Sequence, residues 1–152
     1  MNLDIYHATM VRRWHTNPHL SHTIDPVGYH SGRMAILALK LWPGARELVA
    51  ACLTHDLGEF ASGDIPWGAE NKDQANEVAD QWSERNALDW HLDVNDFSRV
   101  RLKFLDRLDA YLWAKHHAPD HVATNSDWQA QRGQLLLDAQ SLGVDVKCLL
   151  NS

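Results

Sequence analysis

Apolar residues recur along most of this chain with the spacing of an α-helix that has one buried face. Over 26–41 and 44–59 they fall at intervals of three and four residues, and over 95–117 they cover nearly the whole helix surface. Alternation typical of strands is weak throughout. The pattern predicts an all-α fold, with helices over residues 3–13, 26–41, 44–59, 72–87, 95–117 and 125–142.

Capping and turn residues mark the ends of several of these helices. Asp25 and Pro26 suit the N-cap and the first turn of a helix, and Pro43 with Gly44 stops that helix. Gly143 stops the last one. We therefore expect the Asp25 side chain to cap the helix that begins at residue 26.

Polar side chains occupy helix faces that are otherwise apolar. His30 lies one turn before Met34 on the inner face of its helix. His55 follows Cys52 on the inner face of the next helix, and Glu59 lies one turn beyond His55 on the same face. These spacings predict that all three polar side chains point toward the protein interior.

The most apolar helix, over 95–117, carries Asp106 and Asp109 one turn apart on a shared flank. A buried imidazole or carboxylate is costly unless a metal ion or a hydrogen bond satisfies it. The pair His55 and Asp56 has, by itself, an ordinary alternative as a surface turn or a satisfied core histidine. Three such positions on three helices favour a shared divalent metal ion, with Asp106 or Asp109 as the ligand from the last helix.

The order His30, then His55-Asp56, then Asp106 resembles the ligand order of the HD-domain metal-dependent phosphohydrolases. The resemblance is closest to their small-nucleotide branch, the bacterial 5'-deoxynucleotidases and the phage dATP triphosphohydrolases. Similar motifs in this chain are Arg13-Trp14, His55-Asp56-Leu57-Gly58-Glu59, Gly63-Asp64-Ile65-Pro66 and Lys103 to Asp106. The resemblance covers about residues 12–115. It implies an HD-domain helical bundle, favours Asp106 over Asp109, and gives the metal ligands as His30, His55, Asp56 and Asp106.

The chemistry of that ligand set is specific enough to predict a metal class. Two imidazoles and two carboxylates suit Zn²⁺, Co²⁺ or Mn²⁺ better than Ca²⁺. Glu59 is the candidate general base, or the residue that orients the attacking water. Asp64, which Gly63 places in a tight turn, is the candidate to bind a sugar hydroxyl or to help move the proton.

Four further residues are candidates for holding the substrate. Arg13 is suited to a phosphate or a sugar, and Trp14 to stacking on a base or closing the pocket. Lys103 lies one turn before Asp106, in a positive stripe that begins at Arg99, and is suited to a metal-bound phosphate. Lys72 is a second candidate for that role, and a salt bridge is the alternative for each lysine.

Length and charge narrow the class of protein. A chain of 152 residues with 45% hydrophobic and 22% charged residues indicates one globular domain over 1–152. The net charge of −6 argues against a nucleic-acid partner, which normally requires a basic surface. No apolar run approaches the roughly 18 residues of a membrane span, and no signal-peptide pattern is visible. We expect a cytoplasmic protein without a membrane partner.

The sequence therefore predicts a metal-dependent hydrolase whose partner is a small deoxynucleotide. The leading hypothesis is a dNTP triphosphohydrolase of the dATP type, with additional Mg²⁺ ions on the triphosphate. A dNMP 5'-deoxynucleotidase is the alternative, and a non-catalytic nucleotide or metal sensor of the same fold is a third. The resemblance also implies a homo-oligomer.

Overall fold

The computed structural model describes residues 3–66 and 68–151, and within these ranges the regular structure is helical. It confirms the all-α prediction. The sole β-type pairing in the described residues is an isolated antiparallel bridge between Arg12 and Pro26. The helices are α1 (Leu3–Ala8), α2 (Val27–Leu41), α3 (Arg46–Thr54), α4 (Glu59–Ser62), α5 (Lys72–Arg85), α6 (Asp96–His117), α7 (Pro119–Thr124), α8 (Ser126–Ser141) and α9 (Lys147–Asn151).

The first predicted helix ends earlier than the sequence pattern indicates. The backbone N–H of Val27 donates to the Val11 carbonyl, and that of Gly28 donates to the Thr9 carbonyl, both at 2.8 Å. These bonds hold the residues after α1 against the start of α2, so the chain leaves the helix at Ala8 and runs beside residues 26–28. The prediction of a helix over 3–13 is wrong for its second half.

The predicted helix over 44–59 is also divided. α3 ends at Thr54, a chain of turns covers residues 55–58, and Glu59 begins the separate helix α4. The Thr54 hydroxyl donates to the Ala50 carbonyl at 2.9 Å, a bond that competes with regular helix propagation. His55 and Glu59 therefore do not share one helix face, and the turn after α3 fixes their relative position instead.

Asp25 does not cap α2. The N-cap of α2 is Pro26, without a side-chain hydrogen bond, and the Asp25 side chain is fully buried. Asparagines serve as caps elsewhere: Asn95 accepts from the N–H of Ser98 at the start of α6, and Asn125 accepts from two N–H groups of α8. The Asp25 carboxylate does not cap the helix because it accepts hydrogen bonds from three other side chains, those of Arg13, Trp14 and Arg33.

Helix α6 lies at the centre of the main core and contacts α2, α3, α7 and α8. Its buried apolar residues pack with those of the surrounding helices, for example against Met34 of α2 and Leu135 of α8. Asp106 and Asp109 project from this central helix toward α2. The buried apolar residues of α6 are Leu102, Phe104, Leu105, Leu108, Tyr111 and Ala114.

None of the helices in the described ranges combines the length and the apolar character needed to cross a bilayer.

Gly58 lies in the turn between the two predicted site residues Asp56 and Glu59 and packs directly against α5. A Cβ atom at this position would meet the backbone oxygen of Ala79 at 2.3 Å and its carbonyl carbon at 2.7 Å. Backbone cannot rotate away as a side chain can, so any side chain at residue 58 must displace α5 or the turn.

We expect Gly58→Ala to lower the free energy of unfolding by about 1–3 kcal/mol, the usual cost of overpacking. Chemical denaturation measures this loss. Gly32→Ala is the matched control, because a Cβ at Gly32 of α2 meets nothing within 4 Å. Equal stability of the two variants would contradict the predicted clash.

Candidate metal centre and its cavity

Four side chains from three segments of the chain converge on one point. His30 of α2, His55 and Asp56 after α3, and Asp106 of α6 each offer one ligand atom, and these atoms all lie within 4.8 Å of one another. His30 Nε2 lies 3.3 Å from His55 Nε2, 3.5 Å from Asp56 Oδ2 and 3.2 Å from Asp106 Oδ1. These are the four residues that the sequence predicts as ligands.

The second ring nitrogen of each histidine is already committed. His30 Nδ1 lies 2.7 Å from Asp109 Oδ2, and His55 Nδ1 lies 3.0 Å from the Cys52 carbonyl oxygen. Both partners are acceptors, so each Nδ1 bears the proton and each neutral ring presents the lone pair of Nε2. Two lone pairs that face each other at 3.3 Å repel unless a proton or a cation lies between them.

The spacing of the four atoms fits a transition-metal ion. Ligands at about 2.1 Å from such an ion and about 90–110° apart are separated by roughly 3.0–3.4 Å, and the contacts of His30 Nε2 lie between 3.2 and 3.5 Å. The donor set of two nitrogens and two carboxylate oxygens is one that Zn²⁺, Co²⁺ and Mn²⁺ accept. The residues present therefore fit the predicted class of metal.

The charges of the site are strongly coupled. Burial would lower the pKa of His55, but Asp56 and Asp106 outweigh it and raise that pKa to about 9. Burial would raise the pKa of Asp56, but His55, with His30 and Arg13, holds it below its usual range. In the absence of a metal, a proton on His55 thus balances part of the negative charge at neutral pH.

A buried ion-pair network supports His30 from behind. Asp109 accepts from His30 on one side, and from Arg33 Nε at 2.7 Å and Arg33 Nη2 at 2.8 Å on the other. Arg33 Nη2 also donates to Asp25 at 2.9 Å. Burial would raise the pKa of Asp109, but the bonds from His30 and Arg33 hold it below its usual range. Asp109 therefore orients a predicted ligand, His30, whereas Asp106 belongs to the group of four side chains that converge.

The same network reaches the predicted substrate residues. Asp25 Oδ2 accepts from Arg13 Nη1 at 3.1 Å and from Trp14 Nε1 at 3.0 Å. Trp14 has a φ of 67°, the left-handed region that side chains other than glycine rarely adopt. Its bond to Asp25 and its ring contact with Trp128, with centroids 6.4 Å apart, hold it in this conformation. Strain of this kind is common at binding sites.

We expect Asp109→Asn to weaken metal affinity by about 10- to 100-fold, because the amide cannot hold the His30 ring in the same way. Titration of the metal-free protein with Zn²⁺ or Mn²⁺, followed by calorimetry, measures the change. The matched control is Asp145→Asn, an exposed carboxylate whose described hydrogen bond is to the Lys147 N–H. An unchanged affinity in Asp109→Asn would rule out the orienting role.

Two of the four predicted ligands, Asp56 and Asp106, line a cavity of about 780 Å³. Ligand pockets are typically about 300–1,000 Å³, so the volume suits a nucleotide. A second cavity, of about 400 Å³ near Trp90, contains none of the four predicted ligands. The large cavity is lined by Arg13, Trp14, Thr16, Asn17, Asp56, Glu59, Asp64, Ile65, Pro66, Lys72, Asp106, Arg107, Ala110, Ala130, Gln131 and Gln134.

Glu59 faces this cavity from the first position of α4. Its Oε2 atom is buried and has no hydrogen-bond partner among the described residues. Burial, together with the charges of Asp56 and Asp64, raises the pKa of Glu59 to about 10. A carboxyl group with a raised pKa beside a group of metal-ligating residues is a candidate proton carrier.

Other predicted residues lie around the same cavity. Asp64 follows Gly63, whose positive φ of 77° ends α4, and residues 63–66 are irregular rather than the predicted tight turn. Asp64 Oδ2 lies 3.6 Å from His15 Nδ1. Lys72 Nζ donates to the Ile65 carbonyl at 2.7 Å, which ties the start of α5 to the cavity rim. Both are thus placed where a substrate in the cavity would meet them.

Lys103 differs from the other predicted residues, because it is exposed and is not among the residues that line the cavity. Arg107, one turn further along α6, contributes a cation to the cavity wall and forms an ion pair with Asp138. Arg99, which the sequence placed at the start of the positive stripe, donates to the carbonyls of Leu92 and Val94. The stripe is not continuous into the cavity.

Sequence reasoning missed the roles of Arg33 and Asp25. A signal for Arg33 does exist, because Arg33 follows His30 by three residues just as Asp109 follows Asp106. Residues three apart on a helix are neighbours, so each ligand helix carries its supporting charge one turn beyond its ligand. Asp25 gave no such signal, since aspartate before proline is typical of a helix cap.

Comparison with protein-family models, with curated proteins and with solved structures gives no match to this chain.

Proposed function

We propose that this protein is a metal-dependent phosphohydrolase that acts on a deoxynucleotide. The observation that supports the proposal best is the convergence of His30, His55, Asp56 and Asp106 within 4.8 Å, beside a buried carboxyl group and a cavity of about 780 Å³. A purely structural ion pair would need neither the cavity nor Glu59.

Each residue of the site has a distinct part in such a reaction. A divalent ion held by the four ligands would supply Lewis acidity and an acidic bound water. The carboxylate form of Glu59 would accept a proton from the attacking water, since its Oε2 atom has no hydrogen-bond partner among the described residues. The raised pKa keeps Glu59 protonated in the metal-free protein, and the charge of a bound divalent ion would favour the carboxylate. Asp64 is near enough to raise the pKa of Glu59 and so favours proton uptake there. Arg13 and Lys72 place positive charge near Glu59 on the cavity wall, where a phosphate group would bind.

The leading substrate is a dNTP, from which the enzyme releases triphosphate. The cavity volume supports this choice, as do the cationic side chains of Arg13 and Lys72, which are among the described residues that line the cavity. A triphosphate carries about four negative charges and requires several such contacts or additional Mg²⁺ ions. A dNMP substrate requires one clamp beside the metal, which Arg13 alone supplies, so the dNMP 5'-nucleotidase is the second candidate.

A product assay distinguishes the candidates. The protein is incubated with Co²⁺, Mn²⁺ or Zn²⁺ and a panel of dNTPs, dNMPs and NTPs, and the released phosphate species are identified by ion chromatography. We expect intact triphosphate and a deoxynucleoside from a dNTP. Release of inorganic phosphate from dNMPs alone would establish the nucleotidase, and no release from any nucleotide would favour a sensor.

Metal affinity is expected to rise with pH up to about 9. His55 must lose its proton before Nε2 can bind a metal, and its pKa is raised to about 9. Metal binding near pH 7.5 should therefore release about one proton, measurable by calorimetry in buffers of different ionisation enthalpy. A pH-independent affinity would contradict this prediction.

The stability of the metal-free protein should fall as pH rises. The folded-state pKa of His55 lies above its ordinary value of 6.5, so its stabilising contribution is complete below that value and is lost as pH rises toward about 9. The raised pKa of Glu59 acts in the same direction, because burying its ionised form is unfavourable. Chemical denaturation without metal at several pH values measures this loss, which added metal should reverse.

A further inference from the structure

The residues that line the cavity include acidic ones among the predicted site residues and neutral ones on α8. Four carboxyl groups among the described lining residues, those of Asp56, Glu59, Asp64 and Asp106, are close enough for Asp56 to act on both Glu59 and Asp106. Among the described lining residues, α8 contributes no carboxylate and no cation, but a small apolar side chain and two amides, Ala130, Gln131 and Gln134. The part of the wall that α8 contributes thus offers neutral polar groups, beside the ion pair of Arg107 and Asp138.

The two amides are held in a defined orientation. Gln131 Nε2 donates to the Arg107 carbonyl oxygen at 3.3 Å, and Gln134 Nε2 donates to Asp138 Oδ1 at 2.8 Å. Turning either amide over would place its oxygen against another acceptor, so the nitrogens stay with the protein. The carbonyl oxygens of Gln131 and Gln134 therefore remain as the acceptors that this wall offers to a ligand.

The surroundings of these amides suit a flat ring. Ala110 lies one helical turn beyond Asp106 on α6, a rise of about 6 Å, and it leaves open space between α6 and α8 because its side chain is small. Trp14 lines the same cavity, and since its indole N–H is committed to Asp25, the aromatic ring is its remaining recognition surface. Aromatic rings stack on bases of any sequence, so Trp14 selects for a base but not among bases.

We propose that Gln131 and Gln134 form a nucleobase subsite that selects bases bearing an exocyclic amino group. The proposal rests on the proposed function, in that the base belongs to the nucleotide whose phosphate is hydrolysed. Two fixed acceptors match the two N–H groups of an exocyclic amine. An oxo group at the same place would set oxygen against oxygen and leave both acceptors without a donor from the ligand.

Pairs of nucleotides that differ in this one group test the selection. Values of kcat/KM are measured for dATP against dITP and for dCTP against dUTP, with the metal-loaded protein. We expect the amino member of a pair to be preferred by about tenfold or more, the usual discrimination from a paired base contact. A preference found only in the purine pair would assign the subsite to adenine. A preference found only in the pyrimidine pair would assign it to cytosine.

The variants Gln131→Leu and Gln134→Leu should each bring the amino-to-oxo ratio toward one. A general structural loss lowers kcat/KM for both members of a pair equally, so it does not change their ratio. Gln140→Leu, an exposed position on the same helix outside the cavity lining, should keep the wild-type ratio. Equal rates for both members of both pairs in the wild type, or an unchanged ratio in both cavity variants, would overturn the subsite while leaving the phosphohydrolase intact.

If the proposed function fails, nucleoside binding still tests the base subsite by itself. If no nucleotide is hydrolysed, equilibrium binding of free deoxyadenosine and deoxyinosine, at millimolar concentration, still reports on the subsite. Preferential binding of deoxyadenosine that is lost in Gln131→Leu would support the amide contact without the reaction. Equal binding of the two nucleosides, or no binding of either, would overturn it.

Discussion

Replacing Glu59 with glutamine is expected to lower kcat by about 10²-fold or more while leaving the metal content unchanged. Glutamine keeps the size of the side chain but cannot accept a proton from water. Glu59 Oε2 has no partner among the described residues, so a reacting group in the cavity can reach it without breaking an existing hydrogen bond. The loss should appear in kcat and hardly in KM, since proton transfer takes place in the transition state.

The free energy of unfolding distinguishes a proton-transfer role of Glu59 from a structural one. At pH 8 the raised pKa keeps Glu59 protonated in the folded, metal-free protein, and this opposes folding because the unfolded side chain is ionised. Glu59→Gln should therefore not lower the free energy of unfolding of the metal-free protein at pH 8. Glu84→Gln, an exposed position on α5, is the matched control and should keep full activity. A normal kcat in Glu59→Gln would transfer the role of proton carrier to Asp64. Loss of both stability and metal would show a structural carboxylate.

His30, His55 and Asp106 could be proposed as ligands from sequence because each interrupts an apolar pattern, whereas Asp56 and the choice of Asp106 over Asp109 came from the motif resemblance. His30 and Asp106 interrupt apolar helix faces, and helical periodicity is a property of neighbouring residues. The residues that hold these ligands depend on contacts over long distances. Asp109 and His30 are 79 residues apart, and no local pattern relates them.

The errors in helix boundaries have a similar cause. Gly58, at the break between α3 and α4, packs against α5, more than 20 residues later in the chain, and the residues after α1 pair with residues 26–28. The short helices α7 and α9 gave no periodic signal that their length could support. Lys103 was selected by its spacing from Asp106, but spacing alone does not determine which side of α6 lines the cavity.

Metal binding itself is expected to stabilise the protein by an amount that the ligand variants remove. An ion present at 100 times its Kd stabilises the folded state by about 2.7 kcal/mol. For a chain of this size each kcal/mol raises Tm by about 2–4 °C, which gives an expected rise of about 5–11 °C on adding Zn²⁺ or Mn²⁺. Thermal unfolding with and without metal measures it.

Asp106→Asn should abolish this rise, because the amide that replaces the carboxylate is a weak, neutral ligand. Asp106 is the informative position for a fold-neutral change, since its side chain is 45% exposed while His30 is fully buried. Asp96→Asn, an exposed carboxylate at the start of the same helix, should keep the full rise. Asp109→Asn should keep a reduced rise, because it weakens the site without removing a ligand. A full rise in Asp106→Asn with none in Asp109→Asn would exchange the roles of the two carboxylates and return Asp109 to the ligand position.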